Sequence, residues 1–320
     1  MAATRNALFG EAPEAVVALP GTYGEAPSGF RLPELTRLGR VSLQVADLSR
    51  SLEFYQGVLG FREVERGDSW SVLAARGDDT PLVELHEHVG AKSPPRRGRL
   101  GLFHFAILLP DRASLGRFAQ HLADIGAYAG SSDHLVSEAF YLQDPDNLGI
   151  EVYADRPRNT WKRVGRELMM ATDPLDIESL IRAASGDQWT GMPAGTTIGH
   201  VHLHVGDLPT ASAFYSEALG FDRMVSQYPG ALFLGAGGYH HHLGTNTWAG
   251  ASATSPAPDD ARLLEWTIQL PDETSLNALA KSLTDAGQTT DWDQSGPWLK
   301  TADPWGTQVR VEVHSSSHHS

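Results

Sequence analysis

Four stretches of the chain share one pattern of hydrophobic and polar positions. Each opens with an apolar, strand-like run, and these runs are VSLQV (41–45), FAILL (105–109), VHLHV (201–205) and WTIQL (266–270). An Asp follows each run, and apolar residues then recur at helical spacing up to a Gly, as in LSRSLEFYQGVLG (48–60). Further short apolar runs come next, such as SVLAARG (71–77) and LVELH (82–86). The pattern predicts one strand, one helix and three strands in each stretch.

The four stretches form two pairs of internal repeats. Residues 38–61 (LGRVSLQVADLSRSLEFYQGVLGF) read almost like 198–221 (IGHVHLHVGDLPTASAFYSEALGF), and 102–126 read like 263–287. Self-similarity of this kind indicates a repeated structural unit. We therefore predict an α+β fold of four βαβββ modules, in the chain order A, B, A′ and B′.

The modules divide the chain into segments. Residues 1–35 are rich in Pro, Gly, Ala and Glu without periodicity, and we interpret them as an N-terminal arm. Modules A and B are expected in 36–155, a linker with a short helix near 176–184 in 156–196, modules A′ and B′ in 197–315, and a tail in 316–320.

Composition and charge limit the function. The net charge of −14 disfavours nucleic-acid binding, which relies on clustered Lys and Arg. No apolar run approaches the roughly 20 residues of a membrane-spanning helix, and the N-terminus does not resemble a signal peptide, so we expect a cytoplasmic protein with no membrane partner. The chain has no Cys, so any metal site must use His and carboxylates. The oligomeric state stays open, and a homo-oligomer is allowed.

Three residues are candidates for such a metal site. His104 and His200 begin strand-like runs in modules B and A′, and Glu151 lies in the last apolar run of module B, GIEVY (149–153). Burying a carboxylate among apolar neighbours is costly unless it is paired or binds a metal. Taken singly, a His on a strand is more often a hydrogen-bonded residue of the core or rim. Two His and one carboxylate together would make a facial set of ligands.

Several motifs resemble a known family. HFAILLPDR (104–112), DHLVSEAFYLQDPDNLGIEVYADRPRNTW (133–161), IGHVHLHVGDL (198–208) and GGYHHHLGTNTWAG (237–250) are similar to the vicinal oxygen chelate superfamily, and within it to extradiol dioxygenases of the catechol 2,3-dioxygenase type. The resemblance covers about residues 36–315. It implies modules paired into two barrel-like half-domains, and His104, His200 and Glu151 as ligands of Fe(II), with Mn(II) as an alternative. Modules B and A′ must then face one another.

The other pair of modules departs from this pattern. Alignment of the repeats places Arg40, Glu265 and Arg310 where the first pair has His200, His104 and Glu151. Guanidinium groups cannot bind a metal ion. We therefore expect one metal site per chain, and we expect Glu265 to pair between the two Arg side chains.

The resemblance also implies residues that act on the substrate, a small aromatic diol cleaved with O2. His241 is the acid–base candidate from the His-His-x-Leu pattern, and strand alternation sends its two His neighbours to the opposite face. Tyr141 matches a substrate-contacting Tyr, and His134 either assists it or caps a turn after Asp133. Two further His, at 202 and 204, are expected to line the barrel, and the expected cavity aromatics are Trp161, Trp248 and Phe140.

Two other functions fit the same fold. One is a metal-dependent glyoxalase-like lyase or isomerase, which would use four protein ligands, including an extra carboxylate or Gln. The other is a metal-free binding or sequestration protein, which would lack the three ligands. The intact candidate set favours the dioxygenase, whose ring-fission product absorbs visible light.

Overall fold

The computed structural model describes Thr4, Leu8 and residues 14–95, 97–292 and 296–314. The expected tail at 316–320 and most of the first thirteen residues of the expected arm lie outside this part of the chain. Every module of the sequence pattern lies largely within it.

The helices and strands follow the predicted order. A short strand, β1 (Val16–Val17), comes first. Module A contains β2 (Arg37–Val45), α1 (Leu48–Gly57), β3 (Arg62–Arg66), β4 (Trp70–Ala74) and β5 (Val83–Glu87). Module B contains β6 (Gly101–Leu108), α2 (Arg112–Asp124), β7 (Gly130–Asp133), β8 (Ser137–Gln143) and β9 (Gly149–Asp155). The segment between the halves contains a 3₁₀ turn (Arg158–Thr160), β10 (Lys162–Val164), β11 (Glu167–Leu168) and α3 (Ile177–Ala183).

The second half repeats the first. Module A′ contains β12 (Thr197–His204), α4 (Leu208–Ser212) continued by a π-helical turn (Ala213–Ala218), β13 (Asp222–Val225), β14 (Ala231–Gly235) and β15 (Leu243–Asn246). Module B′ contains β16 (Arg262–Leu270), α5 (Glu273–Asp285), β17 (Thr290–Asp291), β18 (Trp298–Ala302) and β19 (Gln308–Val313).

The Asp that follows each long strand starts the module's helix. Asp47, Asp111, Asp207 and Asp272 are the N-caps, and each side chain accepts a hydrogen bond from the backbone N–H three residues later. This bond satisfies one of the N–H groups that a helix leaves free at its first turn. The repeated Asp in the sequence is therefore explained by local structure.

The modules pair across the two halves of the chain. One eight-stranded sheet has the order β13-β14-β15-β12-β6-β9-β8-β7 and combines B with A′, and the other has the order β17-β18-β19-β16-β2-β5-β4-β3 and combines A with B′. The first strands of the paired modules, β6 and β12, are antiparallel neighbours at the centre. The predicted fold class and the predicted meeting of B with A′ are confirmed.

The segments outside the modules pack against them. β1, β10 and β11 form a three-stranded sheet, and Arg31 donates two hydrogen bonds, of 2.7 and 2.6 Å, to Asp222 of module A′. α3 crosses α2 so closely that a Cβ at Gly116 would lie 2.3 Å from the Leu180 carbonyl oxygen. That contact explains a Gly inside a helix, where the residue is otherwise unfavourable. Within the described residues, no helix has both the length and the apolar content needed to cross a membrane.

Candidate metal centre

Strand alternation sorts β12 into a core face and a cavity face. Val201 and Leu203 are fully buried in the hydrophobic core. Because successive side chains of a strand point to opposite faces, the intervening His200, His202 and His204 point away from that core. The run VHLH thus places three imidazoles on one face of the central strand.

Two irregularities in the pairing of β6 with β12 shape the site. The register skips Gly199, between the pairs Ile198–Ile107 and His200–Ala106. A Cβ at Gly199 would lie 1.8 Å from the Tyr153 hydroxyl oxygen, so only Gly fits here. The register also skips Phe103, whose ring then lies 4.8 Å from that of His204. Bulges of this kind redirect side chains. The alternation of polar and apolar residues along a strand does not predict them.

The three candidate ligands meet in the structure. Glu151 Oε2 lies 3.0 Å from His104 Nε2 and 3.0 Å from His200 Nε2, and the two Nε2 atoms are 3.3 Å apart. All three side chains are buried, with at most 7 % exposed. Within the described residues, these three form the one group of His, Asp and Glu whose donor atoms come together in this way.

These distances fit a divalent ion. Nitrogen and oxygen donors about 2.1 Å from a metal ion, at right angles to one another on one face, lie about 3.0 Å apart. The three measured separations are close to that value. The donor set of two imidazoles and one carboxylate is therefore arranged as a facial metal site.

The ionisation of the three groups also suits a metal. Burial opposes charge on Glu151, but the neighbouring His200 and His104 hold its pKa well below the usual range. Burial lowers the pKa of His200 to about 4, against the opposing effect of Glu151. At neutral pH the group thus offers a carboxylate and a neutral imidazole, which are the forms that bind metals.

The corresponding place in modules A and B′ holds ion pairs. Arg40 Nε lies 3.0 Å from Glu84, Arg310 Nε donates to Glu312 at 2.9 Å, and Glu265 pairs with Lys300. The expectation that Glu265 pairs between the two Arg side chains is wrong. Each of these charges pairs with another residue of the same sheet. Glu312 is two residues from Arg310 on the same strand, and Lys300, the partner of Glu265, lies on β18 beside β19.

A cavity opens at the metal centre. Its volume is about 290 Å³, which is near the small end of the range for ligand sites, about 300 to 1,000 Å³. The walls carry both aromatic and polar side chains. The lining consists of Phe103, His104, His134, Tyr141, Glu151, Met170, Ala171, Thr172, His200, His202, Tyr228, Phe233, His241 and Trp248. A wider groove of about 620 Å³ adjoins the cavity at Phe103, His104 and Tyr141.

The expected cavity aromatics are only partly right. Trp248 lies in the lining. Trp161 and Phe140 do not line the cavity and are buried in the hydrophobic core. Sequence reasoning missed Phe103, Phe233 and Tyr228. The run ALFLG of β14 is apolar and buried throughout, so the sequence gives no signal that Phe233 faces the cavity.

His241 is the member of the His240–His242 triplet that reaches the cavity. Its ring centroid lies 4.1 Å from that of His200. His240 faces Asp155, and His242 Nδ1 accepts a hydrogen bond from the Ala236 backbone N–H at 3.1 Å. The triplet lies in the loop before β15 and not in a strand, so the strand alternation that we expected to orient it does not apply. Burial and the neighbouring His residues lower the pKa of His241 well below its usual range.

Tyr141 and His134 form a hydrogen-bonded pair beside the ligands. Tyr141 lies opposite Glu151 in the pairing of β8 with β9. His134 Nδ1 donates to the Ala171 carbonyl oxygen at 2.6 Å, so its Nε2 accepts from the Tyr141 hydroxyl. The turn is capped by Asp133, whose carboxylate accepts from the Leu135 N–H. Burial and the Glu151 charge raise the pKa of Tyr141 well above its usual range.

His202 and His204 are tied to one residue of β15. Asn246 Oδ1 accepts from His204 Nδ1 at 2.7 Å, and Asn246 Nδ2 donates to His202 Nε2 at 3.0 Å. His202 lines the cavity and His204 lines the adjoining groove. Both occupy the barrel-facing positions that the alternation predicted.

Comparison with known proteins places the chain in a family. The sequence model of the Glyoxalase/Bleomycin resistance protein/Dioxygenase superfamily matches residues 37–152 and 197–296. The chain is 46% identical over 276 residues to a catechol-2,3-dioxygenase of Bacillus subtilis, a match that covers 85% of this chain and 95% of that protein.

Solved structures share the fold at low sequence identity. A putative dioxygenase from Bacillus subtilis aligns with a TM-score of 0.59 and 11% identity over 89% of this chain and 87% of that one. Glyoxalase I from Zea mays aligns with a TM-score of 0.52 and 19% identity over 87% and 92%. The family predicted from the motifs is confirmed, and the chain belongs to the Glyoxalase/Bleomycin resistance protein/Dioxygenase superfamily.

Proposed function

We propose that this protein is an Fe(II)-dependent extradiol dioxygenase, which cleaves the ring of a catechol-type diol with O2. The observation that carries the proposal is the facial set of His104, Glu151 and His200 at the wall of a small aromatic cavity. The 46% identity to a catechol-2,3-dioxygenase over 85% of the chain supports it independently.

The ligand set suits this chemistry because it leaves coordination positions free. Two imidazoles and one carboxylate on one face are typical of non-haem Fe(II) oxygenases. When bound, the iron would accept both diol oxygens and dioxygen and let electron density pass from the ring to O2. Mn(II) has similar ligand preferences and is the alternative metal.

The protein's own residues would bind and orient the diol. Phe103, Phe233 and Trp248 give flat apolar walls that match an aromatic ring. The buried setting of the ligands also limits the access of water, which strengthens polar contacts to the substrate. The cavity volume of about 290 Å³ accommodates a single aromatic ring.

Two groups are placed to handle the diol's protons. His241 is neutral at physiological pH and lies at the cavity beside His200, so it is a base for one hydroxyl and later an acid. Tyr141 remains a protonated phenol. Because its proton is directed to His134, its oxygen is free to accept a hydrogen bond from the substrate.

The glyoxalase-like alternative needs a fourth protein ligand. In the part of the chain that the structure describes, three His and Glu donors converge, and the residues that line the cavity include no Gln and no carboxylate besides Glu151. A metal-free binding protein would have no use for three converging buried ligands. The ligand count therefore favours the dioxygenase over both alternatives.

The visible absorbance of the reaction product distinguishes these functions. The protein is loaded anaerobically with Fe(II) and then mixed with catechol in air, and we expect a visible-absorbing ring-fission product. The control variant is Glu265→Gln, which changes the glutamate of module B′ that pairs with Lys300 and should keep full activity. Iron-loaded protein that gives no coloured product with any simple catechol, yet isomerises a glutathione thiohemiacetal, would support the glyoxalase reading.

A further inference from the structure

A chain of hydrogen bonds runs from His241, the proposed acid–base residue at the cavity, towards the protein surface. His241 Nδ1 lies 2.7 Å from His240 Nδ1, and His240 Nε2 lies 2.9 Å from Asp155 Oδ1. His240 is fully buried, while the Asp155 side chain is 28% exposed. Asp155 ends β9, the strand that also carries Glu151. The strand that supplies a metal ligand thus also supplies a carboxylate aimed at His240.

The number of protons on this chain determines which nitrogen of each ring carries one. An ionised carboxylate only accepts hydrogen bonds, so His240 must donate from Nε2 to Asp155. A neutral His240 then has an unprotonated Nδ1, which can only accept. His241 must therefore donate from its Nδ1. In neutral His241 this leaves Nε2 without a proton, and among the described residues none bonds it.

Neighbouring side chains hold the Asp155–His240 pair in place. The Tyr239 hydroxyl donates to Asp155 Oδ1 at 3.2 Å, and the Tyr153 hydroxyl lies 2.6 Å from that of Tyr239. The His240 ring lies 5.4 Å from the ring of Trp161 and 4.1 Å from the ring of Tyr239. These contacts fill the space around the imidazole, so it cannot turn over without displacing buried aromatic rings.

We propose that Asp155 and His240 are positioning residues that fix the tautomer of His241, with Nδ1 protonated and the Nε2 lone pair directed to the cavity. The inference rests on the proposed acid–base role of His241. Neither residue touches the substrate. Both act through His241, whose Nε2 would otherwise be free to carry the proton and could then not serve as a base.

Nitrogen NMR of the metal-free, full-length protein labelled with ¹⁵N at histidine tests the tautomer directly. The signals of His241 are identified as those missing from His241→Ala. We expect a protonated Nδ1 and an unprotonated Nε2 in the wild-type protein. A protonated Nε2 on His241 would overturn the inference, and this result needs no further variant and no enzymatic activity.

Kinetics of the iron-loaded enzyme supply the second test. Asp155→Asn can donate from its amide to His240 Nε2 and so reverse both tautomers, and we expect kcat to fall about 10-fold or more, but less than in His241→Ala. In the double variant Asp155→Asn with His241→Ala, kcat should match that of His241→Ala alone. Losses that multiply would overturn the inference, since residues that act independently show additive free energies.

The control is Asp222→Asn, which neutralises another buried carboxylate, paired with Arg31 away from the cavity. It should leave both kcat and the His241 signals unchanged. Failure of the inference is separable from failure of the proposed function. A reversed tautomer in an active dioxygenase refutes only the positioning role, while the expected tautomer in an inactive protein refutes only the reaction.

Discussion

Glu151 Oε2 lies 3.0 Å from Nε2 of His200, although the two residues belong to different modules and are 49 positions apart in sequence. The contact exists because β9 and β12 both flank β6 in one sheet. The candidate metal site is therefore a product of the pairing between modules B and A′, and neither module holds it alone.

Removing one ligand should remove the metal. We expect Glu151→Gln, His104→Ala and His200→Ala each to bind little or no iron while keeping the fold, because even partners outside the ligand shell contribute about 10 to 100-fold to metal affinity. Iron content of each purified variant is the measurement. Full metallation of Glu151→Gln would show that the carboxylate is not a ligand.

Modules A and B′ should tolerate a Glu→Gln change like the one made at Glu151. Glu265 is partly exposed and pairs with a partly exposed Lys300, so Glu265→Gln should cost about 1 kcal/mol of stability or less and leave iron binding unchanged. Urea denaturation and iron analysis check both points. Loss of iron in this variant would mean that the two sites have been assigned the wrong way round.

His241→Ala should separate binding from chemistry. The variant should keep its iron and still bind catechol, but kcat should fall about 100-fold or more, which is a typical contribution of a positioned acid–base group. Anaerobic catechol binding and steady-state turnover measure the two parts. Normal turnover with weakened iron binding would identify His241 as a ligand instead.

Tyr141→Phe tests the hydrogen-bonded pair at the cavity wall. The change removes the hydroxyl that joins His134 to the cavity and keeps the ring. We expect kcat/KM to fall by about 10-fold, equivalent to one hydrogen bond of about 1.4 kcal/mol. Adding His134→Gln should cost nothing more if His134 acts only through Tyr141. A larger loss in the double variant would assign His134 a role of its own.

The buried His242 should make stability depend on pH. Burial lowers its pKa to about 3, whereas the unfolded chain takes up the proton near pH 6.5. The contribution of the neutral His242 to the free energy of unfolding is therefore fully present above pH 6.5 and is lost as the pH falls towards 3. Between pH 7 and pH 5 the metal-free protein should lose about 2 kcal/mol more stability than His242→Gln. Equal losses in both proteins would contradict the assignment.

Much of this arrangement could be predicted from the sequence. The repeats and the Asp caps are local signals, and they gave the modules and their order. The three candidate ligands could also be predicted, because His104 and His200 start their strands and Glu151 interrupts an apolar run.

The features that sequence reasoning missed depend on tertiary packing. The bulges at Gly199 and Phe103 arise from the register between two strands about 96 residues apart, as the His104–His200 separation shows. The partner of Glu265 was also predicted wrongly, since it pairs with Lys300 of β18, which β19 separates from β16 in the sheet. Contacts of this kind follow from how strands pair, which the order of apolar and polar residues does not specify.

A titration of the metal-free enzyme with Fe(II) under anaerobic conditions, with ring-cleavage activity assayed at each step, tests whether one iron per chain supports ring cleavage. Activity should rise in proportion to bound iron and reach its maximum at one iron per chain, while Glu151→Gln shows neither binding nor activity. Two tightly held irons per chain, or full iron loading without ring cleavage, would contradict the account.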